Sequence, residues 1–216
     1  ALTLSHGYTG AESLFDLALE LGRGEELPDV LKNAIDALPR EEKAERTAVY
    51  AGLYEVWPGG EERAFETYLQ SMQLVFDNVD VKAHVWRLAA SLDAWPILIR
   101  FFDLLTDLAH DPQERFAFLC ERAELEYGRL RDVETAFTTM RRAISLVPLD
   151  DRARAVLEGW AAEHGGLMDV ARFYEEEGGW AEQAGARIAL CRAAADLYRQ
   201  LDAVDDAARM VHLISE

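Results

Sequence analysis

The sequence predicts an all-α protein, a solenoid of antiparallel helix pairs, and three observations carry that prediction. Apolar residues recur at helical spacing along the whole chain. Proline and glycine interrupt those patterns at short intervals. A phrase of one small residue, three spacers and a larger residue returns again and again: Ala64 to Tyr68, Ala136 to Met140, Ala171 to Glu175 and Ala207 to Val211. Its last three alanines stand 35 and 36 residues apart. A period of this length in a helical sequence marks units that bury their apolar faces against their neighbours.

The elements follow in order. Leu14, Leu17, Ala18 and Leu21 place a helix over 11–22, and a second over 27–37 opens at Pro28. Pro39 closes that pair. The next pair is 42–56 and 60–76, parted by Pro58, Gly59 and Gly60, with an irregular extension of its second helix toward 78. Phe101, Leu104, Leu105 and Leu108 mark the second helix of a pair at 82–93 and 97–109, divided near Pro96. Pro112 and Pro148 bracket 113–128 and 132–146. Gly165 and Gly166 split 150–164 from 167–177. After Gly178 and Gly179, Leu190, Ala194, Leu197 and Leu201 run along 183–200, followed by 204–216. Proline lacks the N–H a helix interior needs, and glycine takes the left-handed C-cap, so both fall at the ends. No Asn-Gly or Asp-Gly hairpin signal argues for strands.

Composition narrows the partners. The 216 residues carry a net charge of −18, which phosphate backbones repel, so nucleic acid is excluded as a general partner. No apolar run is long enough to insert in a membrane. Residues 1–216 read as one repeat domain, a segment of a longer protein, since Ala1 stands without a methionine. No secretory leader is visible, and free cysteines favour a cytoplasmic setting. Alanine, arginine and acid in excess over lysine suggest a GC-rich bacterial genome.

Once the helices are paired, the residues resemble the tetratricopeptide repeat family. The fourth pair carries Tyr127, Ala136, Met140, Ala143 and Pro148 at the family's characteristic places. The sixth offers Ala195, Tyr198, Ala207 and Val211; the fifth, Gly159 and Ala171. The second offers Gly52, Ala64 and Tyr68, and the third Trp86, Ala90 and Ala109, with Phe102 in place of an alanine. The first is weakest, with Leu14, Ala34 and Pro39. The resemblance implies five to six degenerate repeats, a right-handed superhelix, and a concave groove lined by the first helix of each pair. Small residues let the paired helices approach, and a larger side chain there costs about 1–3 kcal/mol. In this register Cys120 and Cys191 lie two repeats apart, beyond the ~7 Å Cα limit of a disulfide, so both are expected as free thiols.

The same resemblance implies a protein or peptide partner, held in the groove. Trp57, Trp95 and Trp160 fall near the C-terminal halves of first helices, where an apolar ligand would lie. The other reading has them packing between repeats. Arg87, Arg122, Arg129, Arg192 and Arg199, with Arg46, fall on the same helices, as do His84 and His164. Arginine suits carboxylate recognition, or else belongs to an ordinary solvated face. The carboxylate clamp of a known subgroup is absent: its positions hold Glu121 and Leu125, then Val156 and Trp160.

No catalytic motif stands out, whether a nucleophile elbow, a phosphate loop or a dinucleotide fingerprint, and no Cys/His set has metal spacing. Glu175, Glu176 and Glu177 read as a solvated helix end. The expectation is therefore a non-enzymatic scaffold without cofactor. Its rivals are a self-assembling array and an accessory domain of a larger enzyme. Ala208, Val211 and Ile214 make the last helix apolar enough for homo-oligomer contacts through the terminal helices.

Overall fold

The computed structural model describes Leu17, Glu20 and residues 35–215. Most of the expected pair 11–22 and 27–37 lies outside the described residues. Among those described, ten α-helices follow one another without a strand. They are α1 (Arg40–Glu55), α2 (Glu61–Leu74), α3 (Val79–Ser91), α4 (Trp95–Leu108), α5 (Pro112–Leu125), α6 (Val133–Leu146), α7 (Asp151–His164), α8 (Leu167–Trp180), α9 (Ala184–Gln200) and α10 (Val204–Ser215). A single π-helical turn, Glu126–Leu130, continues α5.

Two kinds of turn alternate. Pro39 stands at the N-cap of α1, and Pro112 is the first residue of α5, where its missing N–H costs nothing. Asn78, Asp111 and Asp150 cap α3, α5 and α7, each accepting from a backbone N–H of the first turn. The other turns, which lead into α2, α4, α6, α8 and α10, each hold one residue in the left-handed region. These are Gly59, Asp93, Arg131, Gly165 and Asp202, at φ between 50° and 74°. That conformation reverses the chain tightly, and only two of the five are glycine.

The packing divides into two compact units, the first ending at Leu98 and the second beginning at Ile99, within α4. In the first unit α1 packs on α2, and α2 on α3. Ala51, Ala64, Met72, Val85 and Ala89 are wholly buried there. Gly52 leaves room for the Tyr68 hydroxyl, which a Cβ would meet at 3.5 Å. The buried Ser71 hydroxyl donates to the Ala44 carbonyl at 2.8 Å, tying α2 to α1. The irregular extension expected toward residue 78 is not present. Helix α2 stops at Leu74, Val75 turns extended, and Asn78 starts the next helix.

In the second unit α5 pairs with α6, and α9 with α10. The expected partnership of 150–164 with 167–177 is looser: α8 packs chiefly on α9 and touches α7 lightly. Gly178 explains the close approach, since a Cβ there would lie 2.9 Å from Sγ of Cys191 and 3.4 Å from its backbone nitrogen. Leu157, Val170, Tyr174, Leu190 and Met210 form the buried centre. Each such side chain contributes about 1.5–3 kcal/mol by leaving water.

The recurring phrase divides in the same way. Its small residue is buried every time, at Ala64, Ala136, Ala171 and Ala207. The larger residue is core only at Tyr68 and Met140. Glu175 is half-buried in a polar network, and Val211 is 45 % exposed while Met210 takes the core position.

Candidate docking surface

Tyrosine hydroxyls meeting glutamate carboxylates recur through both units. In the first unit Tyr68 of α2 meets Glu55 of α1. In the second, Tyr127 bonds Glu163, Tyr174 meets Glu158, and Tyr198 donates to Glu175 at 2.6 Å. Each pair joins two different elements. A buried phenol needs an acceptor, and a carboxylate is a strong one. Burial, then the facing carboxylate, pushes the Tyr68, Tyr174 and Tyr198 hydroxyls above their ordinary range. Four glutamates are thus tied to a second element of their own unit. Glu175, expected as part of a solvated end, also accepts Arg209 of α10 at 2.8–3.1 Å.

The network around Glu55 is closed. The His84 ring lies flat on Tyr68, with centroids 4.7 Å apart and planes at 14°. Its Nδ1 is 2.9 Å from one Glu55 oxygen, and the Arg87 guanidinium donates to the other. His84 and Arg87, both groove candidates on α3, are therefore turned onto a carboxylate of their own unit.

A second closed network surrounds Arg122 of α5. Its Nε donates to Glu126 at 2.7 Å, and its Nη1 meets Asp103. The other Glu126 oxygen accepts from the Thr139 hydroxyl of α6, also at 2.7 Å. Glu126 is only 2 % exposed and opens the π turn. Arg122 thus pairs a buried carboxylate, with its Nε and Nη1 already engaged.

A further aromatic cluster has an exposed edge. Tyr127, on the π turn, stacks face to face on Trp160 of α7, with centroids 4.3 Å apart and planes at 8°. His164, one helical turn further along α7, meets the Tyr127 ring edge-on at 5.8 Å. The Tyr127 hydroxyl donates to Glu163 and lies 3.1 Å from Nε2 of His164. Phe137 of α6 packs behind the indole at 6.2 Å. Tyr127 and Trp160 are half-buried, while Glu163 and His164 are exposed. The hydrogen bond to Glu163 raises the tyrosine's pKa more than its burial does.

The other candidates scatter. Trp57 lies in the turn after α1, and Trp95 is the first residue of α4, so neither sits in the C-terminal half of a first helix as expected. Both are half-buried. Arg129 is exposed on the π turn. Arg192 and Arg199 are exposed on α9, where Arg199 pairs with Asp196 one turn away. Arg46 reaches Glu42 only at 3.9 Å. Cys120 and Cys191 are free thiols, and burial, helped by Asp150, Glu124 and Glu121, pushes the Cys120 thiol up to about 12.

One feature escaped the sequence reading. Trp180, the last residue of α8, is 86 % exposed. It flanks an open cleft of about 430 Å³ between the C-terminal end of α6 and the α8–α9 turn. Leu146, Val147, Pro148, Leu149, Ala181 and Ala186 supply its apolar lining, and Glu177 and Glu182 its charge. The adjacent Gly178 and Gly179 were legible as an interruption, but they lie inside α8, so the tryptophan's helix-end position was hidden.

Among the described residues no group of histidine, cysteine and acid side chains is placed to hold a metal ion. No described helix is long and apolar enough to cross a membrane. Over its described residues the chain is thus all-helical, with helices packed on their neighbours within each of the two units. No family model and no curated protein sequence matches it.

Proposed function

We propose that this chain is a protein-binding scaffold module, built from tetratricopeptide-like helix pairs as a right-handed solenoid. It docks a peptide or protein on the first-helix surface of its second unit. The observation that carries the reading is the Tyr127–Trp160 stack, a planar aromatic platform with an imidazole and a carboxylate at its accessible edge. Such amphipathic rings give large contact area at little conformational cost. Arg129, two residues from Tyr127, and the exposed Arg192 and Arg199 would supply charge to the same kind of partner. The five left-handed turns support the repeat reading because one leads into the second helix of each successive pair, and the buried alanines support it in every described pair but the third, where Phe102 stands.

The test is capture of partners by the protein, with Tyr127→Ala and Trp160→Ala compared with the unaltered chain. Loss of a captured protein by both variants, with helical circular dichroism intact, is the expected result. Full retention by both sinks the reading. A second reading, self-assembly through α10, is favoured by the exposure of Ala208, Val211 and Leu213 along that helix. It predicts a concentration-dependent dimer that Val211→Glu dissociates.

A further inference from the structure

We infer that the Trp180 cleft is a second docking site, for a polypeptide segment that presents an apolar side chain beside lysine or arginine. The cleft lies between α6 and the α8–α9 turn, whereas the Tyr127–Trp160 platform is built from the π turn and α7. It is a different surface, and the inference stands or falls separately from the proposed function.

Three observations select this occupant. First, a tryptophan at 86 % exposure leaves one of the largest apolar side chains in water, beside Leu149 at 54 % and Leu146 at 39 %. Tryptophan is the residue most enriched where partners anchor, and contiguous exposed apolar surface marks such places. Second, the cleft is open, and its volume of about 430 Å³ suits one or two inserted side chains. Third, Glu177 and Glu182 line the cleft, while no lysine or arginine does. Neither glutamate has an ion pair among the described residues, unlike Glu175 two positions earlier.

The same chemistry chooses among occupants. A cation set between Glu177 and Glu182 would also meet the open face of the Trp180 ring, which attracts positive charge. Its apolar neighbour would lie against Leu146, Val147 and Leu149. A second copy of this chain fits poorly, since each copy carries −18 and the rim would meet like charge.

The test is fluorescence anisotropy of the purified full chain with two labelled twelve-residue peptides. One carries a central Leu-Trp flanked by four arginines; in the other, glutamates replace the arginines. The arginine peptide should bind, and more weakly as salt rises, while the glutamate peptide should not bind. Trp180→Ala should weaken binding at least tenfold, with an unchanged melting temperature because the side chain is solvent-exposed. The pair Glu177→Gln with Glu182→Gln should weaken it several-fold and flatten the salt dependence. The control pair Glu61→Gln with Glu62→Gln, on α2, should leave it unchanged. Equal affinity of the Trp180→Ala protein, equal binding of both peptides, or no binding at all overturns the inference. So does a dimer in sedimentation that Trp180→Ala dissociates, which would assign the cleft to a second copy. Failure here, alongside partner capture that still depends on Trp160, would leave the proposed function standing.

Discussion

Two aromatic clusters use the same residue types and reach opposite ends. In the first unit Tyr68, His84 and Glu55 close on one another, and Arg87 completes the carboxylate. In the second unit Tyr127, His164 and Glu163 repeat the phenol, imidazole and carboxylate, but no arginine donates to Glu163 among the described contacts, and Glu163 and His164 are exposed. The difference lies in where the tyrosine sits. Tyr68 projects from the middle of α2 and is 3 % exposed. Tyr127 rides on a π turn, whose wider winding carries it out of the regular helix register. The first arrangement ties α1, α2 and α3 together, and the second leaves its carboxylate and imidazole exposed.

The comparison breaks first if the closed networks are dispensable. Arg122→Ala should cost about 3–5 kcal/mol, because it strands Glu126 as a buried, unpaired charge. Glu163→Ala, at the open cluster, should stay within about 0.5 kcal/mol, as exposed positions do. Urea unfolding of the two variants gives both numbers. Similar losses would erase the distinction between closed and open.

A neighbouring pair of glycines asks the same of the helix contacts. Gly178→Ala should destabilise by about 1–3 kcal/mol, since its Cβ would press on Cys191. Gly179→Ala meets nothing within 4 Å and should stabilise α8 by a few tenths up to about 1 kcal/mol. Thermal melts with opposite shifts are expected. A harmless Gly178→Ala would remove the close contact between α8 and α9.

The smallest effect is a dependence on pH. Burial raises the Tyr68 hydroxyl above its ordinary 10.0. The unfolded chain therefore ionises first as pH rises, so the stability Tyr68 contributes is present below about 10 and is lost above it. Stability measured from about pH 9 to about pH 11 should fall, and Tyr68→Phe should flatten that fall more than Tyr127→Phe does. Equal flattening would put both tyrosines in the same environment.

Much of this architecture could be read from the sequence, for a physical reason. Helix ends are local events, and Pro39, Pro112, Gly59 and Gly165 announce them within a residue or two. The left-handed turns at Asp93, Arg131 and Asp202 were harder to read, because non-glycine residues take that conformation too seldom for their identity to announce it. The tyrosine–glutamate bonds stayed hidden for a related reason. Tyr127 lies 36 residues from its acceptor and Tyr198 lies 23 from its own, so no fixed spacing reveals them. Trp160 was legible as a candidate on a first helix. Its stacking partner Tyr127 was legible only as a repeat residue, since Gly128 gives no sign of the π turn that turns it outward.

The central claim is that the open cluster, and not the closed one, is where this chain meets its partner. The direct measurement places a photo-crosslinking residue at position 160, and separately at position 84, in the protein. A partner adduct from position 160 and none from position 84 is the predicted result. Adducts of equal yield from both, or from position 84 alone, would contradict it.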